Sequence, residues 1–455
     1  MEQSKTTAEA KARGPARAWA LLVSAGAALS RRQTLARALL FLAVLGGLQL
    51  FTWEAFNARS ARPGLWSPTY EYWDRHGFFA TGGLIYFKGQ GYAHLQGWHA
   101  PRDEYGLYRN APAGSLAPVQ LLRTVARALT GTAPDWLEGL WGLLMVTLGA
   151  TLLSLLCWDV LRAQGFADRE ASLLALLPGA AYLSFAPILN VAAYVEPTTV
   201  GINLLIGLAF LLNRLSAEPA ARARGLRGIA VLSFCWASVD MPPMPVFFLA
   251  AAALSLALSR DLGLEWPELG KYLVAPVAAA LGLFVLQQLF ASLSLDMDWT
   301  GSNVLYRMGL SAGSKLGHEQ VFTYAREGRY QWKWPFEVSV AALVLTVGWH
   351  ELQRRKEQGQ LSAPTASFGR ALALVLVMAL VYVLEFAVFS NHVIMHPSMF
   401  DPYAYLPCLL AAFVLLASAL RRIGFAGPSL VHLYVALTAL LVWSDWQKYV
   451  ANPQL

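Results

Sequence analysis

Apolar runs long enough to cross a bilayer recur from one end of this chain to the other, and no other feature restricts its fold so severely. A crossing takes about 20 mostly apolar residues, and inside the bilayer every backbone N–H and C=O must find its partner within the protein. Helices meet that demand. The candidate runs fall at roughly 34–53, 136–161, 171–189, 198–214, 228–239, 244–259, 271–294, 335–352, 369–390, 404–420 and 429–446. Composition agrees: of 455 residues, 56% are hydrophobic and 14% charged, where a soluble domain has about a quarter charged. The expectation is an all-α multi-pass integral membrane protein, a bundle of about 11 transmembrane helices with a long outer first loop.

Charge orients the bundle. Residues 1–33 form a basic segment, with Lys5, Lys11, Arg13, Arg17, Arg31 and Arg32, expected to be cytoplasmic and to include a short interfacial helix. A secretory leader is disfavoured because Arg31 and Arg32 stand where its cleavage site would be. The rest, 34–455, is expected to be a single transmembrane domain. Its short basic loops, at Arg162 and Arg169, at Arg214 to Arg227, at Arg260, at Arg354 to Lys356 and at Arg421 and Arg422, all fall on one side, which the positive-inside rule makes cytoplasmic. The outer side then carries the loops at about 54–135 and 295–334 and the turn 391–403, and the membrane is expected to be the plasma (inner) membrane. The net charge of +7 follows from this asymmetry and needs no nucleic-acid partner. Cys157, Cys235 and Cys408 lie in apolar runs without CxxC pairing and read as small hydrophobes.

Two stretches depart from plain spanning. The runs on either side of Asp240, Pro242 and Pro243 are short and read as a broken or re-entrant pair lining a cavity. Leu116 to Leu129 places apolar residues on one helical face and Arg123 and Arg127 on another, the pattern of a helix lying on the outer membrane surface.

The first outer loop is where chemistry concentrates. Asp74 lies in YEYWDRHGFFATGGLIYFKGQGY, and Glu54 stands at the outer end of the first run; both are candidates to face water and substrate, although each is also an ordinary solvated carboxylate. Glu196, before Pro197, and Asp240 are acids near membrane depth, where such groups mark sites or pairs, with helix capping as the plainer reading. In NHVIMHPSMFDPYAYLP, His392, His396 and Asp401 gather at the late turn; two histidines at i, i+4 admit a divalent metal, but a third assured ligand is lacking, so polar groups at the interface are the default. The second outer loop is rich in tyrosine and tryptophan, the composition of an interfacial belt. The chain has no Walker A motif, GxSxG elbow, HExxH motif or dinucleotide fingerprint, which removes support for ATPase, serine hydrolase, zincin and Rossmann readings.

Asp74 followed by Phe78, Phe79 and Gly82, then KGQGY at Lys88 to Tyr92 and a later stretch with Tyr108, Pro112 and Pro118, resembles the opening loop of GT-C fold glycosyltransferases that use polyprenyl-phosphate sugars. The segments AYVEPTTVGINLLIGLAFLL, RGLRGIAVLSFCWASVDMPPMPVFF and HPSMFDPYAYLPCLLAAF are similar to later family segments, in the same order. Asp74 has no acidic neighbour in sequence with which to form the adjacent acidic pair seen in such enzymes. The resemblance implies an outer-face site, Asp74 as base on the acceptor hydroxyl with Glu54 as second choice, no nucleotide and no certain cofactor. Arg307, Lys315, Arg326, Arg329 and His396 are candidates to hold the lipid phosphate. Implied partners are a polyprenyl-phosphate sugar donor, a glycan or lipid acceptor and membrane lipids. The competing expectations are a transporter or flippase of a lipid-linked solute, for which the broken pair argues, and a non-catalytic scaffold.

Overall fold

The computed structural model describes residues 32–49, 67–81, 85–88, 105–108, 113–134, 136–185, 188, 197–215, 219–240, 242–258, 260–295, 333–357, 363–389, 397–425 and 427–451. Helix α1 covers 32–49. The long loop contributes α2 (Ser67–His76), the antiparallel strands β1 (Ile85–Lys88) and β2 (Tyr105–Tyr108), a 3-10 turn at Ala113–Ser115 and α3 (Ala117–Thr130). Then come α4 (Trp136–Ala163), α5 (Asp168–Ser184), α6 (Pro197–Asn213), α7 (Pro219–Val239) and α8 (Pro243–Ala257). Helix α9 runs through Trp266–Leu269, a π turn at Gly270–Val274 and Ala275–Leu295 without a break. It is followed by α10 (Lys333–Lys356) and α11 (Ala363–Val388). Helix α12 joins Pro397–Leu410, a second π turn at Ala411–Leu415 and Leu416–Arg422, and α13 is Pro428–Ala451.

Each of the eleven apolar runs coincides with a helix. Four helices among the described residues are long and apolar enough to cross a membrane, with stretches at Trp136–Ala163, Trp266–Phe290, Ala366–Val388 and Pro402–Arg422. The molecule therefore has the character of a helical membrane protein. Helix α9 makes the point most directly: only 22% of its apolar window is buried, and Val285, Leu286 and Leu293 face outward. An apolar face of that size is stable against lipid tails and not against water.

Helix α4 is the central post, packed against α5 and α6, with α7 on α6, α9 on α7, α8 and α12 on α11, and α13 on α5. Hydroxyls buried in these contacts return to the carbonyl one turn back: Thr151 to Thr147 (2.8 Å), Ser233 to Ile229 (2.8 Å) and Ser418 to Val414 (2.8 Å). At Gly149, where a Cβ would collide with Asn203, α6 comes close enough to α4 for the Asn203 amide to donate to the Met145 carbonyl at 2.7 Å.

The basic helix ends do gather at one end of the bundle, tied by ion pairs across elements. Arg37 of α1 meets Asp168 of α5, Arg214 of α6 meets Asp159 of α4 at 3.1 Å, Arg222 of α7 meets Glu268 of α9, and Arg370 of α11 meets Asp261 at 2.8 Å. Arg421 lies over the Phe166 ring at 4.3 Å. Two helices stop here by the same device: Gly165 (φ +85°) and Gly424 (φ +99°) turn left-handed, so that Phe166 N–H reaches the Leu161 carbonyl and Phe425 N–H the Leu420 carbonyl.

Two expectations are corrected. Helix α7 has 21 residues, beginning at Pro219 and not near 228, so of that pair α8 alone, at 15, is short for a crossing. Asp401 belongs to α12, which starts at Pro397, and not to an irregular turn. Helix α3 forms as expected, with Leu121, Leu122, Val125 and Leu129 exposed on its apolar face, Gln120 and Arg123 buried, and Arg127 partly exposed. The 1–31 segment and the 296–332 loop lie outside the described residues.

The two ends give a direct test. Thr132→Cys, before α4, and Ala220→Cys, at the start of α7, placed in a protein lacking Cys157, Cys235 and Cys408, are expected to react with an impermeant thiol reagent from opposite sides of sealed vesicles. Reaction of both from one side would overturn the transmembrane arrangement.

Candidate functional site

The end opposite the ion-paired belt carries two acidic centres, and the long loop joins them. Its 3-10 turn sits on the tip of α7 so closely that a Cβ on Gly114 would come within 2.3 Å of the Ser238 carbonyl oxygen. Ser238 lies two residues before Asp240, so the loop is docked beside the α7–α8 break.

The first centre is held by the loop helices. Asp74 is on the last turns of α2, and its two oxygens accept from different donors on α3: Oδ1 from Gln120 Nε2 at 2.8 Å and Oδ2 from Arg127 Nη2 at 2.7 Å. Arg123 stands 3.9 Å from Asp74 and 3.6 Å from Glu138 at the start of α4, to which Ser67 Oγ also donates at 3.4 Å. The Arg123 guanidinium lies 5.2 Å from the Tyr70 ring centroid. Donors at 120, 123 and 127 occupy one face of α3 because helical neighbours recur every three or four residues. Burial raises the Asp74 pKa, but the hydrogen bonds from Arg127 and Gln120 and the charges of both arginines outweigh it, holding the carboxyl below its usual range. Asp74 is thus an anion at neutral pH. The expectation that it faces water is corrected: its side chain is 14% exposed and lies against α3. The physical reason is desolvation, which brings the carboxylate together with nearby guanidiniums once α2 packs on α3.

The second centre is Asp240. It is fully buried, accepts from Trp236 Nε1 at 2.6 Å and is bonded by the Tyr403 hydroxyl of α12. Gly201 of α6 makes room for it, since a Cβ there would come within 2.1 Å of Oδ2. Glu385 of α11, 1% exposed, lies within electrostatic reach of Tyr403. Helices α6, α7 and α12 therefore converge on this carboxyl. The plain reading of Asp240 as a helix cap misses the Tyr403 bond, which crosses 163 residues of sequence.

Of the other candidates, Glu54, Glu196, Arg307, Lys315, Arg326, Arg329, His392 and His396 lie outside the described residues, as does the side chain of Asp401. Among the described residues no three His, Cys, Asp or Glu gather as metal ligands. The residues that complete the two centres, Gln120, Glu138, Gly201, Glu385 and Tyr403, were not singled out by sequence reasoning. Only Trp236 and Asp240, at i, i+4 in WASVD, carried a local signal.

Two measurements probe these centres. Tyr403→Phe removes a donor from a buried carboxyl, with an expected cost of about 1–3 kcal/mol and a lowered unfolding temperature in detergent; an unchanged midpoint would show that this bond does not hold the bundle. Because Asp74 has a lower pKa folded than unfolded, its stabilisation is complete above the ordinary carboxylate value of about 4 and is lost as pH falls below it. The wild type is therefore expected to lose stability below that pH more steeply than Asp74→Asn, and parallel pH profiles would refute the assignment.

Comparison with known proteins gives no matching family model and no curated relative.

Proposed function

We propose that this chain is a membrane glycosyltransferase of the GT-C type, moving a sugar from a polyprenyl-phosphate donor to a glycan or lipid acceptor. The reading takes the bundle to cross the plasma (inner) membrane about eleven times. The belt of arginines is then cytoplasmic, and α2, α3 and the α7–α8 tip lie at the outer face. The ordered likeness of four sequence segments supports it, and one structural observation carries it: an anionic Asp74 is held beside two arginines on loop helices docked at one end of the bundle.

In the proposed reaction the acceptor hydroxyl attacks the anomeric carbon, the carbon–oxygen bond to phosphate breaks with inversion, and the polyprenyl phosphate leaves with the electron pair. The hydroxyl proton passes to Asp74. A carboxylate whose oxygens are occupied is a weak base, so a role for Arg127 follows from the same geometry. A donor phosphate competes for Arg127 and Arg123, to which guanidinium forks are well matched, and its arrival frees Asp74. The transporter reading draws on the break at Asp240, Pro242 and Pro243 between α7 and α8. Uptake of a labelled lipid-linked sugar by vesicles without product formation would favour it.

Purified protein offered a panel of polyprenyl-phosphate hexoses and pentoses with glycan or lipid acceptors is expected to turn over. Asp74→Asn is expected to lose about 10²–10⁴ of the rate without weakening donor binding, since no carboxylate then competes for Arg127. No turnover across the panel by folded protein would overturn the function. Full activity of Asp74→Asn beside a dead Glu54→Gln would move the base to Glu54.

A further inference from the structure

We propose that a cleft at the arginine-rich end, between the ends of α4, α6 and α11, binds the phosphate group of an anionic membrane lipid. The cleft has a volume of about 460 Å³ and is lined in part by Asp159, Arg162, Asn213, Ser367 and Arg370. That falls in the range of about 300–1,000 Å³ typical of small-molecule sites. It lies far from the Asp74 and Asp240 centres and is independent of the reaction proposed there.

The charges favour an anion. Arg162 from α4 and Arg370 from α11 reach the cleft from different walls, and each is steadied from behind. Arg370 donates Nε and Nη2 to Asp261 Oδ2 at 3.2 and 2.8 Å, while Arg162 donates Nη1 to the Phe166 carbonyl at 2.6 Å. Among the described residues no hydrogen bond occupies Nη1 of Arg370 or Nη2 of Arg162, so each fork keeps a donor for a ligand. Asp159, the acid in the lining, does not oppose this as a bare charge, because Arg214 at 3.1 Å and the Asn213 amide at 2.9 Å already neutralise it. The carboxyl end of α4 is likewise closed by its own backbone bonds, which keeps its carbonyls from facing the cleft as free acceptors.

A second observation selects a lipid over free phosphate. The cleft sits at the ends of α4 and α11, two helices long and apolar enough to cross a membrane. A polar, basic cleft at the end of membrane-length helices matches the headgroup level of a lipid. Lipid phosphates lie at that depth, and basic pockets between helices are suited to them.

The test uses the full chain in non-ionic detergent, titrated with short-chain phosphatidylglycerol, phosphatidylcholine of equal chain length and inorganic phosphate, and read by native mass spectrometry and thermal unfolding. Phosphatidylglycerol is expected to bind saturably and at least about tenfold more tightly than either competitor. Arg370→Gln and Ser367→Asp are each expected to weaken it by about tenfold. Ser367→Asp adds a negative charge to the cleft and leaves every ion pair intact, so it decides the matter if Arg370→Gln fails to fold. Equal binding of the two lipids, or unchanged binding in Ser367→Asp, would overturn the proposal. Phosphate binding as tight as the lipid would overturn the lipid assignment and leave a site for a soluble anion.

Discussion

A hydroxyl, amide or carboxyl placed inside a bilayer has no water to turn to, and that single constraint organises the bundle. Isolated hydroxyls answer it locally by bonding the preceding turn of their own helix, as Thr151 and Ser233 do. Groups with more bonding capacity answer it between helices. The Asn203 amide crosses to α4, and Asp240 draws donors from α7 and α12. Each such bond fixes the rotation of a helix that lipid tails alone would leave free to turn.

The two ends of the molecule use charge differently. At the arginine-rich end, pairs such as Arg214 with Asp159 and Arg222 with Glu268 run between long helices and fix how they sit together. At the other end, the Asp74 pairs run between two helices of one loop, and Arg123 links them to α4 through Glu138. The first arrangement ties the scaffold; the second makes a loop behave as a compact part of it. This distinction is why the loop can be considered as a site and not merely as a connection.

Helix positions were legible in the sequence because hydropathy over some twenty residues reports a bulk property, and the clustering of basic ends was legible for the same reason. The start of α7 was not, since its first turns, PAARARGL, carry two arginines and fall below any apolar threshold although they are helical. The faces of α3 show a subtler limit. Its periodicity was readable, but which face turns inward depends on long-range partners: Arg123 turns to Asp74 and Glu138, while Arg127 stays partly exposed. The two acidic centres were hidden for a third reason: Asp74 meets Arg127 across 53 residues and Asp240 meets Tyr403 across 163, and no spacing rule links positions so far apart.

The π turns at Gly270–Val274 and Ala411–Leu415 have a consequence for how α9 and α12 can be built. A wide turn takes in about one residue more than an α turn, so the chain beyond it is rotated by about 100° relative to an unbroken α-helix. In α12 the segment before the turn presents Tyr403 to the acidic centre, and the segment after it presents Ala417 and Ser418 to the interior near the arginine belt. One rod thus keeps two independent angular registers. The extra residue acts as a phase shifter, letting each half of the helix be matched to its own set of neighbours.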